Sequence, residues 1–165
     1  MYPMRRAERA ISREEALAAL AAAEYGILSM TGPAGEPYGV PLNFVLTEDG
    51  TAILFHSAIE GRKLVYLRAR PYAHFSVVCA AQVVPEALTT AYTCVMVEGA
   101  VTEVTDPEEK KRCACLIASR YAPGRDASGY AGRSAPRYVV LRMSVDGVSG
   151  KRRPLPGMAE RNKLA

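Results

Sequence analysis

At 165 residues, 49% of them hydrophobic and 23% charged, the chain is long enough for one domain with a sizeable core and too short for two ordinary ones. A net charge of +4, no Trp, and Tyr residues that do not alternate with basic runs argue against a duplex nucleic-acid face and suit a small anionic ligand better. Four cysteines without C-x-x-C spacing and only two histidines argue against a zinc site, and no apolar run nears the roughly 20 residues of a membrane span. Residues 1–9 lack the apolar centre of a signal peptide, so the expectation is a cytoplasmic chain with reduced thiols.

Residues 1–11 read as a polar, Arg-rich arm. Ser12-Arg13-Glu14-Glu15 is a capping box, followed by Ala16, Leu17, Leu20 and Ala23 at helical spacing, which predicts a first helix over 13–23. Residues 25–31 form a first strand, Gly32-Pro33-Ala34-Gly35 a turn, and 36–46 a second strand. Thr47-Glu48-Asp49-Gly50 is a hairpin turn into a third strand, 51–57. A short helix follows over 61–70, with Leu64, Val65 and Leu67 inward, and Pro71 stops it. Residues 72–81 are a fourth strand and 82–91 a poorly patterned loop. Residues 92–104 are a long fifth strand, in which Gly99 marks a bulge or a close backbone approach. Asp106-Pro107-Glu108-Glu109 opens a helix that runs to about 121. A Gly/Ser-rich, mobile connection over 123–133 precedes a sixth strand at 138–145, and 147–165 is a basic tail. The expected architecture is mainly β: one domain over 1–165 with a single core, a six-stranded antiparallel barrel whose helices cover its open ends or edges.

One helix breaks a local rule. The first and last long helices carry acids in their first turns, Glu14 and Glu15, then Glu108 and Glu109. The middle helix carries Arg62 and Lys63 there, against its dipole, at a cost of about 0.3–1 kcal/mol each when exposed. A bound phosphate would remove the conflict by meeting free helix amides, the Ser57 hydroxyl and both cations, with Gly61 allowing close approach. Glu60 could cap the helix, though beside an anion it would be misplaced. The plainer alternative is that both cations are solvated surface charges. A second irregular stretch is Pro37-Tyr38-Gly39-Val40-Pro41-Leu42-Asn43, since two prolines are unusual in a central strand. It is either an edge strand protected by its prolines or the wall of a ring-shaped ligand, with Val40 and Leu42 on the ring and Asn43 at its rim.

Taken in order, Tyr25-Gly26-Ile27-Leu28, Pro37 to Asn43, Phe55-His56-Ser57-Ala58 with Gly61-Arg62-Lys63, Glu98-Gly99-Ala100 and Asp106-Pro107-Glu108-Glu109-Lys110 resemble the FMN-binding split-barrel family related to pyridoxamine 5′-phosphate oxidase, and within it the nitroimidazole-reductase (Nim-type) branch. The resemblance spans roughly residues 5–150. It implies a flavin-binding split β-barrel homodimer with FMN between subunits. It also implies phosphate contacts from Ser57, Arg62 and Lys63, ring contacts from Val40, Pro41, Leu42 and Asn43, and a place for Ala58 and Gly61 among the cofactor-binding residues. His56 matches a histidine near the cofactor and is the one catalytic candidate, a proton relay; its alternative is a core histidine bonded to backbone. Tyr92 and Thr93 would reach the site from the loop before the fifth strand. His74, Cys79 and Cys94 read as structural. Arg152-Arg153-Pro154-Leu155-Pro156 lacks the Trp-containing ending of true pyridoxamine phosphate oxidases; this tail is solvated or folds over the partner's cofactor.

The expected function is an FMN-dependent oxidoreductase that reduces a small aromatic acceptor such as a 5-nitroimidazole, with NAD(P)H as a transient donor. No dinucleotide fingerprint, metal, nucleic-acid or membrane partner is expected. The alternatives are a non-catalytic binder of FMN, haem or a deazaflavin on the same barrel, and a pyridoxamine 5′-phosphate oxidase-like oxidase.

Overall fold

The structure is a computed structural model and describes residues 3–134 and 137–155. Among the described residues nine strands form one antiparallel sheet: β1 (Ala10–Ile11), β2 (Tyr25–Thr31), β3 (Pro37–Asn43), β4 (Val45–Leu46), β5 (Ala52–Ala58), β6 (Tyr72–Val84), β7 (Thr89–Glu103), β8 (Tyr138–Ser144) and β9 (Gly147–Arg153). The helices are α1 (Arg13–Ala22), α2 (Arg62–Ala69), α3 (Pro107–Tyr121) and α4 (Ala127–Ser134). The spatial order is β3-β2-β6-β7-β8-β5-β4, and β9 pairs with β7 and β1.

The split lies in β7. Its residues Tyr92 to Glu98 pair with β9, and Val101 to Glu103 pair with β8. Between them sits Gly99, where an added Cβ would fall on the backbone carbonyl of Ser144. The Ser144 hydroxyl accepts the Ala100 amide at 2.9 Å and closes the fork. Gly99 therefore serves the close backbone approach. The irregularity lies instead on β6, where Cys79 is an extra residue between Val78, paired with Cys94, and Ala80, paired with Thr93.

Several sequence expectations change. Six strands become nine because part of the expected arm, β1, and part of the expected tail, β9, pair with each other, and because the expected second strand divides at Phe44 into β3 and β4. Residues 82–91 are no loop: β6 and β7 continue through them as a hairpin arm around a short 3-10 turn, Pro85–Ala87. The connection expected over 123–133 contains α4. Val65 is 55% exposed, and Tyr66 takes the inward place beside Leu64 and Leu67.

The core has two clusters rather than one. Inside the barrel, Phe75 stacks edge-to-face with Phe44 and Phe55, both at 5.0 Å, among Leu28, Ile53, Val77, Val95 and Val97. On the outer face of β5 and β8, Leu54, Tyr138 and Val140 pack against Cys113, Ala114 and Ile117 of α3. Burial pushes the thiols of Cys79, Cys94 and Cys113 up, as suits packed rather than reactive cysteines.

The predicted capping box is present. The Ser12 hydroxyl accepts the Glu15 amide at 3.1 Å, the Glu15 carboxylate accepts the Ser12 amide at 2.9 Å, and Arg152 of β9 donates to the same carboxylate at 2.9 Å. The Ser12 amide, then Arg152, hold Glu15 below its ordinary value of 4.5. A carboxylate depressed in the fold stabilises it above that ordinary value, and the contribution is lost as pH falls through the folded value. Glu15→Gln is expected to lose stability at neutral pH, and its melting-temperature deficit against wild type should shrink between about pH 6 and about pH 3. A deficit that stays constant over that range would refute the pairing.

Candidate functional site

Gly61 begins α2 at φ 129°, a conformation few residues but glycine adopt, and open space surrounds the position a Cβ would take. Arg62 and Lys63 are the first two helical residues, and their amides have no acceptor among the described residues. The other helices are capped by side chains: Ser12 on α1, Asp106 accepting the Glu109 amide at 2.7 Å on α3, and Asp126 accepting the Gly129 amide at 2.8 Å on α4. Glu60 does not cap α2. The positive end of this helix is thus open and flanked by two cations.

The fold brings this helix start to the proline-bearing strand. The Arg62 guanidinium lies 5.1 Å from the centre of the Tyr38 ring in β3 and 6.0 Å from that of Tyr66, and the two rings meet edge-to-face at 5.8 Å. The Glu36 carboxylate beside the Tyr66 hydroxyl pushes the tyrosine up. Glu36 is held below the usual carboxylate range, first by its own backbone amide and then by Tyr66.

Strand alternation divides the expected ring wall. Val40 and Leu42 turn inward and pack against the barrel cluster, while Pro41 and Asn43 are exposed. Among the described residues β3 pairs only with β2, so it is an edge, the place where two prolines cost no ladder bonds. The Asn43 side chain donates to the Glu24 carbonyl at 3.1 Å, which leaves its oxygen for another partner. The same alternation parts His56 from Ser57 on β5. Ser57 is buried, and its hydroxyl donates to the Ala58 carbonyl at 3.0 Å. His56 and Ala58 are exposed on the opposite face. Tyr92 and Thr93 do not lie in a loop. They sit within β7, paired with Ala81 and Ala80 on one side and with Arg153 and Arg152 on the other.

His56 and Asn43 meet at a cavity of about 670 Å³ that the sequence reading did not foresee. Its other walls come from α3, the turn into α4, and Tyr138 of β8. Ala114, Ala118 and Ala122, spaced four apart, line the α3 side; that spacing of small residues was the available signal. Tyr121 fixes this corner. Its hydroxyl accepts the Phe44 amide at 2.9 Å, and its one proton is shared between the carbonyls of Glu24 and Phe44, at 2.5 and 2.7 Å. Phe44 lies between β3 and β4, outside the ladder, so Tyr121 satisfies backbone groups the sheet cannot. Tyr121→Phe is expected to cost about 1–3 kcal/mol in a urea titration, because those groups lose their partner. No change would mean that water serves them equally well.

Among the described residues no three His, Cys, Asp or Glu side chains gather as a metal-binding group, and no helix is long and apolar enough to cross a membrane.

A mainly antiparallel split barrel with flanking helices, in which the start of α2 carries two cations and no side-chain cap beside an edge strand, defines the class of fold. The chain belongs to the pyridoxamine 5′-phosphate oxidase family, whose model matches residues 12–152. Among solved structures it resembles a candidate 5-nitroimidazole antibiotic resistance protein from Bacteroides thetaiotaomicron, at 24% identity and a TM-score of 0.72 over 86% of this chain and 85% of that one. A FAD-binding protein from Mesorhizobium loti matches at 23% identity and 0.67, over 88% and 97%. An FAD and haem binding protein from Mycobacterium smegmatis matches at 19% and 0.69, over 93% and 77%. At these identities the likeness is one of fold. Among curated proteins none matches the chain.

Proposed function

We propose that the protein is an FMN-dependent oxidoreductase that reduces a small aromatic acceptor such as a 5-nitroimidazole, with the flavin held between two copies of the chain. The observation that carries this is the open start of α2, where unpartnered amides and two cations stand beside β3. Arg62, Lys63 and the amides of that turn would hold the phosphate, with Gly61 leaving room and the Ser57 hydroxyl behind them. Pro41, Asn43 and the free edge of β3 would meet the ring's polar rim, while Val40 and Leu42 support that edge from inside. His56 would hold or pass a proton at an imidazole nitrogen. Bound FMN would supply the two-electron chemistry, replenished by NAD(P)H.

A second copy is part of the proposal, as the other wall of the ring site. Val78 and Val83, each 69% exposed, and Leu88, 95% exposed, offer an apolar arm for that contact, and Tyr92 and Thr93 sit on the same arm. Sedimentation should give twice the 17.8 kDa of one chain.

The experiment is optical. The protein should carry a flavin spectrum that NAD(P)H bleaches and a nitroimidazole restores. Bound flavin that bleaches but is not reoxidised by the nitro compound would refute the reductase. A second reading, a non-catalytic binder, draws on His56, whose imidazole has no hydrogen-bond partner among the described residues and faces an apolar cavity. A fold relative is named for FAD and haem binding. A sharp haem band, or flavin that never turns over, would favour it.

A further inference from the structure

The cavity behind His56 has a chemistry of its own. A wall of alanine methyls from Ala114, Ala118 and Ala122 faces the outer side of β5 and β8, where Tyr138 contributes a ring. The volume of about 670 Å³ lies within the roughly 300–1,000 Å³ usual for small-molecule pockets. The walls are mostly apolar, which suits a flat hydrocarbon ring. Two groups at the rim are basic, His56 and Arg125. Among the described residues neither side chain has a hydrogen-bond or ion-pair partner. One carboxylate also lines the cavity, that of Asp126, but it is engaged on the Gly129 amide at the positive end of α4. The rim therefore carries a cation without a partner among the described residues, Arg125, next to a carboxylate already engaged, and the interior walls are mostly apolar.

We propose that this cavity binds a planar aromatic monoanion, a ring carrying one carboxylate or a group of like charge, with its ring against the α3 alanines and its charge at Arg125. The site lies within one protomer and does not include Arg62 or Lys63. Insofar as the bound anion is also the electron acceptor, the proposal rests on the flavin assignment above, because His56 and Asn43 are common to both. Binding itself needs no flavin.

The test is calorimetric titration of the full chain with 4-nitrobenzoate and with the neutral 4-nitrobenzamide, alongside an FMN titration. The expected result is one carboxylate per chain, bound at least about ten-fold more tightly than the amide, because only the carboxylate forms a charge-assisted bond. Arg125→Ala, an exposed site, should remove that preference and leave amide binding unchanged. Ala118→Leu, which fills the cavity, should weaken both ligands at least about five-fold. FMN affinity should stay within about two-fold in both variants, since neither touches α2. Equal binding of carboxylate and amide, or carboxylate binding indifferent to both substitutions, would overturn the proposal. Loss of FMN binding in Ala118→Leu would overturn it too, since the cavity would then hold the flavin ring itself. Carboxylate binding as predicted, by a protein that takes up no flavin, would uphold this site and end the flavin assignment.

Discussion

Phe75→Ala is expected to remove about 3–5 kcal/mol of unfolding free energy. Phe75 is fully buried at the centre of β6, with Leu28 of β2 and Val97 of β7 as its ladder partners. Its ring is the middle of three, 5.0 Å from Phe44 and 5.0 Å from Phe55. Removing it empties a space whose walls are fixed by hydrogen-bonded strands on either side, so little collapse can offset the loss. Total stability of a domain is about 5–15 kcal/mol, so the substitution would leave the fold marginal or undone. Phe75→Leu, which keeps most of the volume, should cost markedly less. Val65→Ala, on the exposed side of α2, should stay within about 0.5 kcal/mol. Urea midpoints at constant slope measure all three. A loss below about 1 kcal/mol for Phe75→Ala would mean that the three-ring stack is not the centre of the barrel.

The largest expected effect on binding comes from Arg62→Ala combined with Lys63→Ala. FMN affinity should fall at least about ten-fold, or about 1.4 kcal/mol. The two residues differ in what else they do. Arg62 also sits over Tyr38 and Tyr66, so its removal loosens that aromatic pair as well. Among the described residues Lys63 has no such second contact. A lone cation at the positive end of a helix is unfavourable by about 0.3–1 kcal/mol. Lys63→Ala alone should therefore slightly stabilise the flavin-free protein while weakening FMN. Those opposite signs are what a phosphate-holding residue predicts and a solvated surface charge does not. Lys111→Ala, on α3, is the matched control and should change neither. An FMN titration indifferent to the double substitution would refute the phosphate site.

Much of the scaffold was legible because local chemistry and tertiary contact agree there. Ser12 and Glu15 announced α1, Asp106 and Pro107 announced α3, and Asp49-Gly50 announced the hairpin into β5. Misplaced charge at Arg62 and Lys63 marked α2 as unlike the other helices, and the fold puts that mark beside β3. The arm was illegible for a geometric reason. An extra residue at Cys79 breaks the two-residue period, so outward positions are even-numbered before it and odd-numbered after it, as the partners of Ala81 and Val83 show. Strands β1 and β9 were missed because Ala10-Ile11 and Gly147 to Arg153 have little apolar pattern; their pairing is with each other and with β7, far off in sequence. The cavity was missed because its walls come from four separate segments, and only the spacing of Ala114, Ala118 and Ala122 hinted at it.

Strand β5 belongs to both apolar clusters, with Phe55 on the barrel side and Leu54 on the helix side. Ile53, Leu54 and Phe55 are consequently all solvent-free, and this stretch has no neutral flank on which sequence can drift. The next two residues of the same strand are His56, at the cavity rim, and Ser57, buried on the opposite face. The proposed chemistry would thus be mounted on a stretch where a substitution disturbs two interiors, and new specificities would be more accessible through α3, α4 and the edge strand, where one side chain can change without unsettling two interiors at once.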